Sequence, residues 1–332
     1  MISIVIPLYN KAHTIVNTLN TVFNQTYQNF EIIIVNDGST DNGIEIINQN
    51  FTDNRIKIIN QENQGVSVAR DRGVKEATSN YIAFLDADDN WHPEYLTIME
   101  SAIRKFPNSA LYSSAGLIKN ANGTTNFRIA KKYLNKIIQV DFFENPFVFT
   151  HTSATIINKT YFNKTEGSPR GMLCLQDFAL FIQLALIGKF TYVGLPISKY
   201  IGGITGQTTS ADKEKRFKLL KFVCYLYNFT CQKEIESPNK TFHVFIKHDI
   251  RHRIKGFINQ KDQRSLSYFL KNLSPIVINH FSKWEISLYE KKLYHLALLW
   301  INLSKIIWRL HKYPSVSNKI NTNAINNKFK DW

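Results

Sequence analysis

Apolar residues in the first hundred positions fall into short dense runs separated by stretches of helical period. Residues 3–8 are nearly all apolar and rich in β-branched side chains, the pattern of a strand buried on both faces of a parallel sheet. Similar runs cover 30–36, 55–60 and 81–86, and helical periodicity covers 12–23, 42–49 and 65–77 between them. Strand and helix alternating at this spacing predict right-handed βαβ units in a doubly wound sheet. Beyond residue 118 the pattern blurs. A helix is expected at 175–187, and helices dominate from 211 onward, with breaks near Ser237-Pro238, Ser274-Pro275 and Tyr313-Pro314. Residues 315–332, rich in Asn and Lys, are expected to fray.

The chain has 332 residues, 41 of them Lys or Arg against 26 Asp or Glu, so its net charge is +15. That charge is uneven. Residues 1–100 hold 6 basic and 13 acidic side chains, 101–200 hold 12 and 4, and 201–332 hold 23 and 9. An acidic front and a basic rear describe two electrostatic tasks rather than one. Three cysteines fit neither a disulfide framework nor a zinc motif, which suits a reducing compartment. The N-terminus reads as a strand rather than a secretory signal, and the most apolar window, 293–303, is too short to cross a bilayer.

Three polar motifs fall at the predicted carboxyl ends of strands, where open α/β sheets bind ligands. They are Pro7-Leu8-Tyr9-Asn10, Asn36-Asp37-Gly38-Ser39-Thr40-Asp41 and Asp86-Ala87-Asp88-Asp89. The second supplies an acceptor on a glycine-eased turn, with Ser39 or Thr40 placed to cap the next helix. The third sets three carboxylates within four residues. They repel one another unless something positive lies between them, and oxygen ligands of this kind suit Mg²⁺ or Mn²⁺ on a diphosphate. A plain N-cap by Asp89 or Asn90, for a helix starting near His92-Pro93, is the alternative. Neither a dinucleotide-binding glycine fingerprint nor a P-loop occurs.

Together with Asn63-Gln-Gly-Val-Ser-Val-Ala-Arg-Asp-Arg-Gly73, these blocks resemble, in order and spacing, the signature of the family-2 inverting glycosyltransferases. The resemblance implies a GT-A fold, Rossmann-like with a mostly parallel sheet flanked by helices, a nucleotide-sugar donor (commonly UDP-linked), a divalent cation (Mn²⁺ or Mg²⁺) and inversion at the anomeric carbon. Carried over by residue, Pro7, Tyr9 and Asn10 would line the base and ribose pocket, Asp37 would accept from the uracil ring NH, and Arg70 would lie near the diphosphate. Asp86 would contact the ribose or sugar, Asp88 would ligate the metal, and Asp177 would be the general base. Two departures stand out: Gln176 replaces the usual Glu before that base, and the glycine-rich run 200–209 lacks the late histidine ligand of some relatives. That run reads as a loop near the donor or as a linker. His151 and the 166–171 segment are candidates to face the acceptor. The expected division is a catalytic domain over 1–210, a basic helical region over 211–314 and a tail over 315–332.

Tyr289, Leu293, Leu296, Trp300, Leu303, Ile307 and Leu310 recur at alternating spacings of four and three, flanked by Lys291, Lys292, Lys305, Arg309 and Lys312. Packing inside a small bundle or at a dimer contact is favoured because the seam is so regular. An interfacial helix over 284–312 on an anionic inner membrane leaflet is the alternative. The expected activity is transfer of a sugar to a saccharide or lipid-linked saccharide in surface-polysaccharide, capsule or lipopolysaccharide assembly, at the cytoplasmic side. A catalytically silent nucleotide-sugar binder and a nucleic-acid binder are the competing classes. Charge alone supports the nucleic-acid class, and the acidic front opposes it.

Overall fold

The computed structural model describes residues 1–202, 213–310, 325–330 and 332. Its strands are β1 (Ile2–Leu8), β2 (Phe30–Asp37), β3 (Ile56–Gln61), β4 (Tyr81–Phe84), β5 (Asn90–Trp91), β6 (Ser109–Lys119), β7 (Thr125–Arg128), β8 (Ile137–Val140), β9 (Thr155–Asn158) and β10 (Lys189–Ile201). The helices of the first two hundred residues are α1 (Ile15–Phe23), α2 (Gly43–Asn50), α3 (Val66–Glu76), α4 (Tyr95–Lys105), α5 (Pro146–Phe149), α6 (Lys159–Phe162) and α7 (Gln176–Ile187). All strands join one sheet, ordered β3-β2-β1-β4-β9-β6-β10-β5, with β7 beside β6 and β8 beside β10.

The alternation expected over residues 1–86 is present, each element within a few residues of its predicted bounds. β1 is buried along its whole length and pairs in parallel with β2 and β4, so Leu8, Asp37 and Phe84 end at one edge. Helix α3 crosses β1 so closely that a Cβ on Gly73 would lie 2.3 Å from Val5 Cγ1. The doubly wound pattern stops at β4. β9 runs antiparallel between β4 and β6, while β6 and β10 are again parallel, so the sheet is mixed. Because β9 is reversed, its starting end lies beside the finishing end of β4.

Beyond the sheet, α8 (Lys213–Glu236), α9 (Lys240–Asn259), α10 (Gln263–Asn272), α11 (Pro275–Ile278), α12 (Lys283–Glu290) and α13 (Tyr294–Leu310) form the helical region. Its boundaries are chemical. The Asn239 side chain accepts from the amides of Thr241 and Phe242, Asp262 from Ser265, and Ser274 from Val277 ahead of a helix opening with Pro275. Two buried polar knots lock these helices: Arg251 grips Glu285 through two nitrogens at 2.7 and 2.6 Å, and Tyr227, Asp249 and Arg253 bond together. The region's buried apolar side chains are continuous with the core of the sheet, and α8 lies along α7.

Two expectations are modified here. Of the apolar seam, Tyr289 is buried and Trp300 half-buried against the Trp284 ring, whereas Leu293, Leu296, Leu303 and Ile307 are exposed, as are the neighbouring Ile306 and Leu299, the last by 66%. The seam's regular spacing described an apolar stripe correctly, but its aromatic members Tyr289 and Trp300 make the inward contacts, with Ala297 and Ile301 buried beside them. The chain end does not fray throughout. Ile325 and Phe329 are buried, His92 meets the rings of Phe329 and Trp332 edge-on, and the Trp332 indole N–H donates to the Pro196 carbonyl at 3.2 Å. Three large apolar side chains in a polar segment suffice to dock it. Residues 315–324, the Tyr313-Pro314 break, most of the 200–209 run, and the side chains of Arg309, Leu310 and Lys312 lie outside the described residues.

Gly73→Ala should lower stability by about 1–2 kcal/mol in a urea titration, because overpacking against a central strand outweighs the gain in helix propensity.

Candidate active site

The parallel strands β1, β2 and β4 deliver the three predicted motifs to one edge, and the reversed β9 adds a fourth segment, 151–154, from the other side. At β1, Pro7 lies within the strand, Tyr9 is 47% exposed beyond it, and Asn10 takes a left-handed backbone (φ 52°). Asn10 Oδ1 accepts from the Thr40 amide at 2.8 Å, and its own amide donates to Ser39 Oγ at 3.2 Å. Ser39 and Thr40 thus tie the β1 and β2 loops together and do not cap α2, whose N-cap residue is Asn42. Gly38 supplies the expected turn, with φ 71°.

Asp37 is buried and accepts from Gln61 Nε2 at 2.7 Å and from the amides of Gln64 and Gly65 at 2.9 Å each. A carboxylate offers about four lone-pair sites, so this arrangement orders the loop into α3 and leaves one more acceptor position.

The Asp86–Asp89 run does not cap α4, whose N-cap residue is Glu94. Its members diverge instead. Asp86 Oδ1 receives Arg70 Nη2 at 2.6 Å, and Asp88 Oδ2 receives Lys11 Nζ at 2.7 Å. Asp89 turns inward, with Oδ2 accepting from Ser153 Oγ at 2.5 Å and Oδ1 from the Ile201 amide at 3.3 Å. Burial raises the Asp89 carboxyl well above its usual pKa, with help from the Asp86 charge. Burial also raises Asp86, against the pull of Arg70. Arg70 itself is buried, and its Nε and Nη1 have no partner. A guanidinium held this way has two donors to offer a ligand.

Asp177 lies in the first turn of α7, reached through Leu175 in a left-handed conformation (φ 65°). Its Oδ2 accepts from Thr152 Oγ1 at 2.6 Å, and it lies within electrostatic range of Arg70, Asp86 and Arg128. Thr152 and Ser153 therefore connect the two groups of acids: Ser153 Oγ also accepts from the Asp86 amide at 3.0 Å, and its neighbour Thr152 holds Asp177. Gln176 is buried with Oε1 unpartnered.

Of the weaker candidates, His151 is engaged inside the fold. Its Nε2 contacts Ser198 Oγ at 2.9 Å, and burial together with Arg128 pushes its pKa down to about 3. The 166–171 segment lies on α3, where the Ser168 amide meets Asp71 at 3.2 Å. Sequence reasoning missed Lys11, Arg128, Thr152 and Ser153. The polar run His151-Thr-Ser-Ala-Thr155 before an apolar Ile-Ile pair was the available signal.

The profile described as Glycosyl transferase family 2 matches residues 3–165. That stretch of the chain is a family-2 glycosyl transferase domain. It includes β1 to β9 and every candidate residue above except Asp177, Gln176 and the 166–171 segment. Over 104 residues, 31% of its length, the chain is 43% identical to the glycosyltransferase YibD of Escherichia coli strain K12 and covers 30% of that protein. Over 140 residues, 42% of the chain, it is 34% identical to the Escherichia coli UDP-Glc:alpha-D-GlcNAc-diphosphoundecaprenol beta-1,3-glucosyltransferase WfgD, covering 55% of it. The chain spans 30% or less of the first four curated relatives it matches. In fold it resembles Staphylococcus aureus TarS residues 1–349 solved with UDP, with a TM-score of 0.65 at 16% identity over 94% of this chain and 91% of that one. The match beyond residue 165 means that the helical region, too, has a counterpart of similar shape.

Asp89 gives a pH signature whose sign follows from linkage. Its folded pKa lies above the unfolded value near ~3.9, so between the two the native state holds a proton the unfolded chain has lost, and stability falls as pH rises through that window. Asp89→Asn should remove this component, so that chemical-denaturation curves of variant and wild type converge at low pH and separate, in favour of the variant, as pH rises.

Proposed function

We propose that the chain is an inverting glycosyltransferase that moves a sugar from a UDP-linked donor to a saccharide or lipid-linked saccharide acceptor in surface-polysaccharide assembly. The observation that carries this reading is the convergence of paired acids at one sheet edge: Asp86 on Arg70, Asp88 on Lys11, and Asp177 brought towards them by Thr152. Support for the donor comes from the UDP complex of TarS and the UDP-sugar in the name of WfgD.

In this reading Tyr9 stacks on the base, Asp37 uses its remaining acceptor position for the ring NH, and Asn10 shapes the pocket. The unpartnered donors of Arg70 meet donor oxygens, while Asp86 orients the ribose or sugar. The donor set fits a divalent cation. Asp88 presents a carboxylate that already attracts an ammonium in this structure, and one or two carboxylates are what Mg²⁺ or Mn²⁺ ordinarily take from a protein. When bound there, the cation would neutralise the charge of the leaving diphosphate. Asp177 takes the proton of the acceptor hydroxyl, whose oxygen bonds to the anomeric carbon as the carbon–phosphate-oxygen bond opposite breaks. Thr152 fixes the orientation of that carboxylate, and the first turn of α7 supports its charge.

The exposed apolar face of α13, with Lys291 and Lys292 beside its start, supports peripheral contact with an anionic leaflet, where a lipid-linked acceptor would be found. Among the described residues no helix is long and apolar enough to cross a membrane.

Asp177→Asn should reduce turnover by about 10²–10⁴-fold while leaving UDP binding intact, measured by donor consumption and calorimetry. Turnover equal to wild type would remove Asp177 as the base, and no transfer by either protein would favour the silent-binder reading. Asp88→Asn should abolish the extra thermal stabilisation that UDP gains from Mn²⁺, read in a melting assay with and without the ion.

A further inference from the structure

Away from the sheet edge, three metal-ligating side chains from three segments meet in the helical region. They are Glu234 near the end of α8, His243 in the first turn of α9, and His280 just after α11. Glu234 is 4% exposed. Its Oε1 accepts from the Asn239 amide at 2.9 Å and faces His243 Nε2 at 3.0 Å. The other ring nitrogen of His243 meets His280 Nδ1 at 2.5 Å.

Among the described residues no lysine or arginine pairs with Glu234. Its neighbour Lys233 turns to Glu166 at 2.6 Å and Glu236 at 3.2 Å, and Lys247, though within electrostatic range of His280, forms no ion pair with Glu234. A carboxylate taken out of water needs a cation close by. A chain of neutral imidazoles would satisfy the facing nitrogens but leave that charge uncompensated. An ion shared by all three groups answers both needs.

We propose that Glu234, His243 and His280 bind a divalent transition ion of the zinc class. Two imidazoles and one carboxylate are a donor set preferred by zinc over the all-oxygen surroundings that suit Mg²⁺ or Mn²⁺, so this site and Asp88 would select different ions. One ligand atom from each residue lies within 4.8 Å of the other two. Tetrahedral bonds of about 2.0–2.1 Å place ligand atoms about 3.3 Å apart, a closure within reach of the partly exposed histidine rings, with water as the fourth ligand. The ion would brace more than the three helices. Ser237 Oγ donates to the Leu186 carbonyl at 2.9 Å, and Lys233 reaches Glu166, so the same end of α8 is tied to α7, which carries Asp177, and to the 166–171 segment.

The test uses the full chain stripped with chelator and titrated with Zn²⁺ by calorimetry and with Co²⁺ by visible absorption, in wild type, Asp88→Asn, His243→Gln and His280→Gln. One ion per chain is expected, with the intense bands of low-coordinate Co²⁺. Asp88→Asn should keep this binding, each histidine variant should weaken it about 100-fold or more, and Zn²⁺ should raise the melting temperature only where both histidines remain. Binding unchanged by both histidine substitutions would overturn the proposal. So would the absence of such bands in wild type, a reading independent of whether the variants fold, which circular dichroism checks.

Discussion

Everything at the carboxyl edge of the sheet answers to the repulsion among four carboxylates gathered there. Asp86, Asp88, Asp89 and Asp177 come from two distant stretches of sequence, and each is given a different way of bearing its neighbours. Arg70 meets Asp86, Lys11 meets Asp88, burial keeps Asp89 protonated more readily than an exposed acid, and Thr152 with the start of α7 supports Asp177. Asp89 is buried in this arrangement, whereas Asp86 and Asp88 stay partly exposed. The net charge of the chain conceals this, because most of its basic residues lie in the rear, away from these acids.

The early part of the fold was legible because two signals agreed. Dense apolar runs marked β1 to β4, and three of them ended in polar motifs that a ligand-binding edge explains well. Legibility failed where strands were short or reversed. β9 is four residues long and antiparallel, so neither run length nor alternation announces it, yet its position decides that Thr152 and Ser153 reach the acids. The spacing of α13 revealed a stripe but not how much of it is covered, since periodicity cannot say how far along the helix its neighbours reach. The partners of the acids, Lys11 above all, were invisible for a simpler reason. Contacts across 77 positions, as between Lys11 and Asp88, leave no local pattern.

The helical region is more than an appendage. Its core continues that of the sheet, α8 lies along the helix that carries Asp177, and the last residues return to β10 beside Lys199, whose ammonium sits 4.3 Å from the Trp332 ring centroid. The helices thus meet the element that carries Asp177 through packed side chains.

The reversed strand also constrains the order in which the chain can become a protein. β4 lies in the middle of the finished sheet, but its neighbour β9 is synthesised more than seventy residues later, after β6. Until then the edge of β4 carries unpaired amides and carbonyls, a surface open to wrong partners. The motif-bearing first hundred residues are thus, physically, half a sheet waiting for its centre.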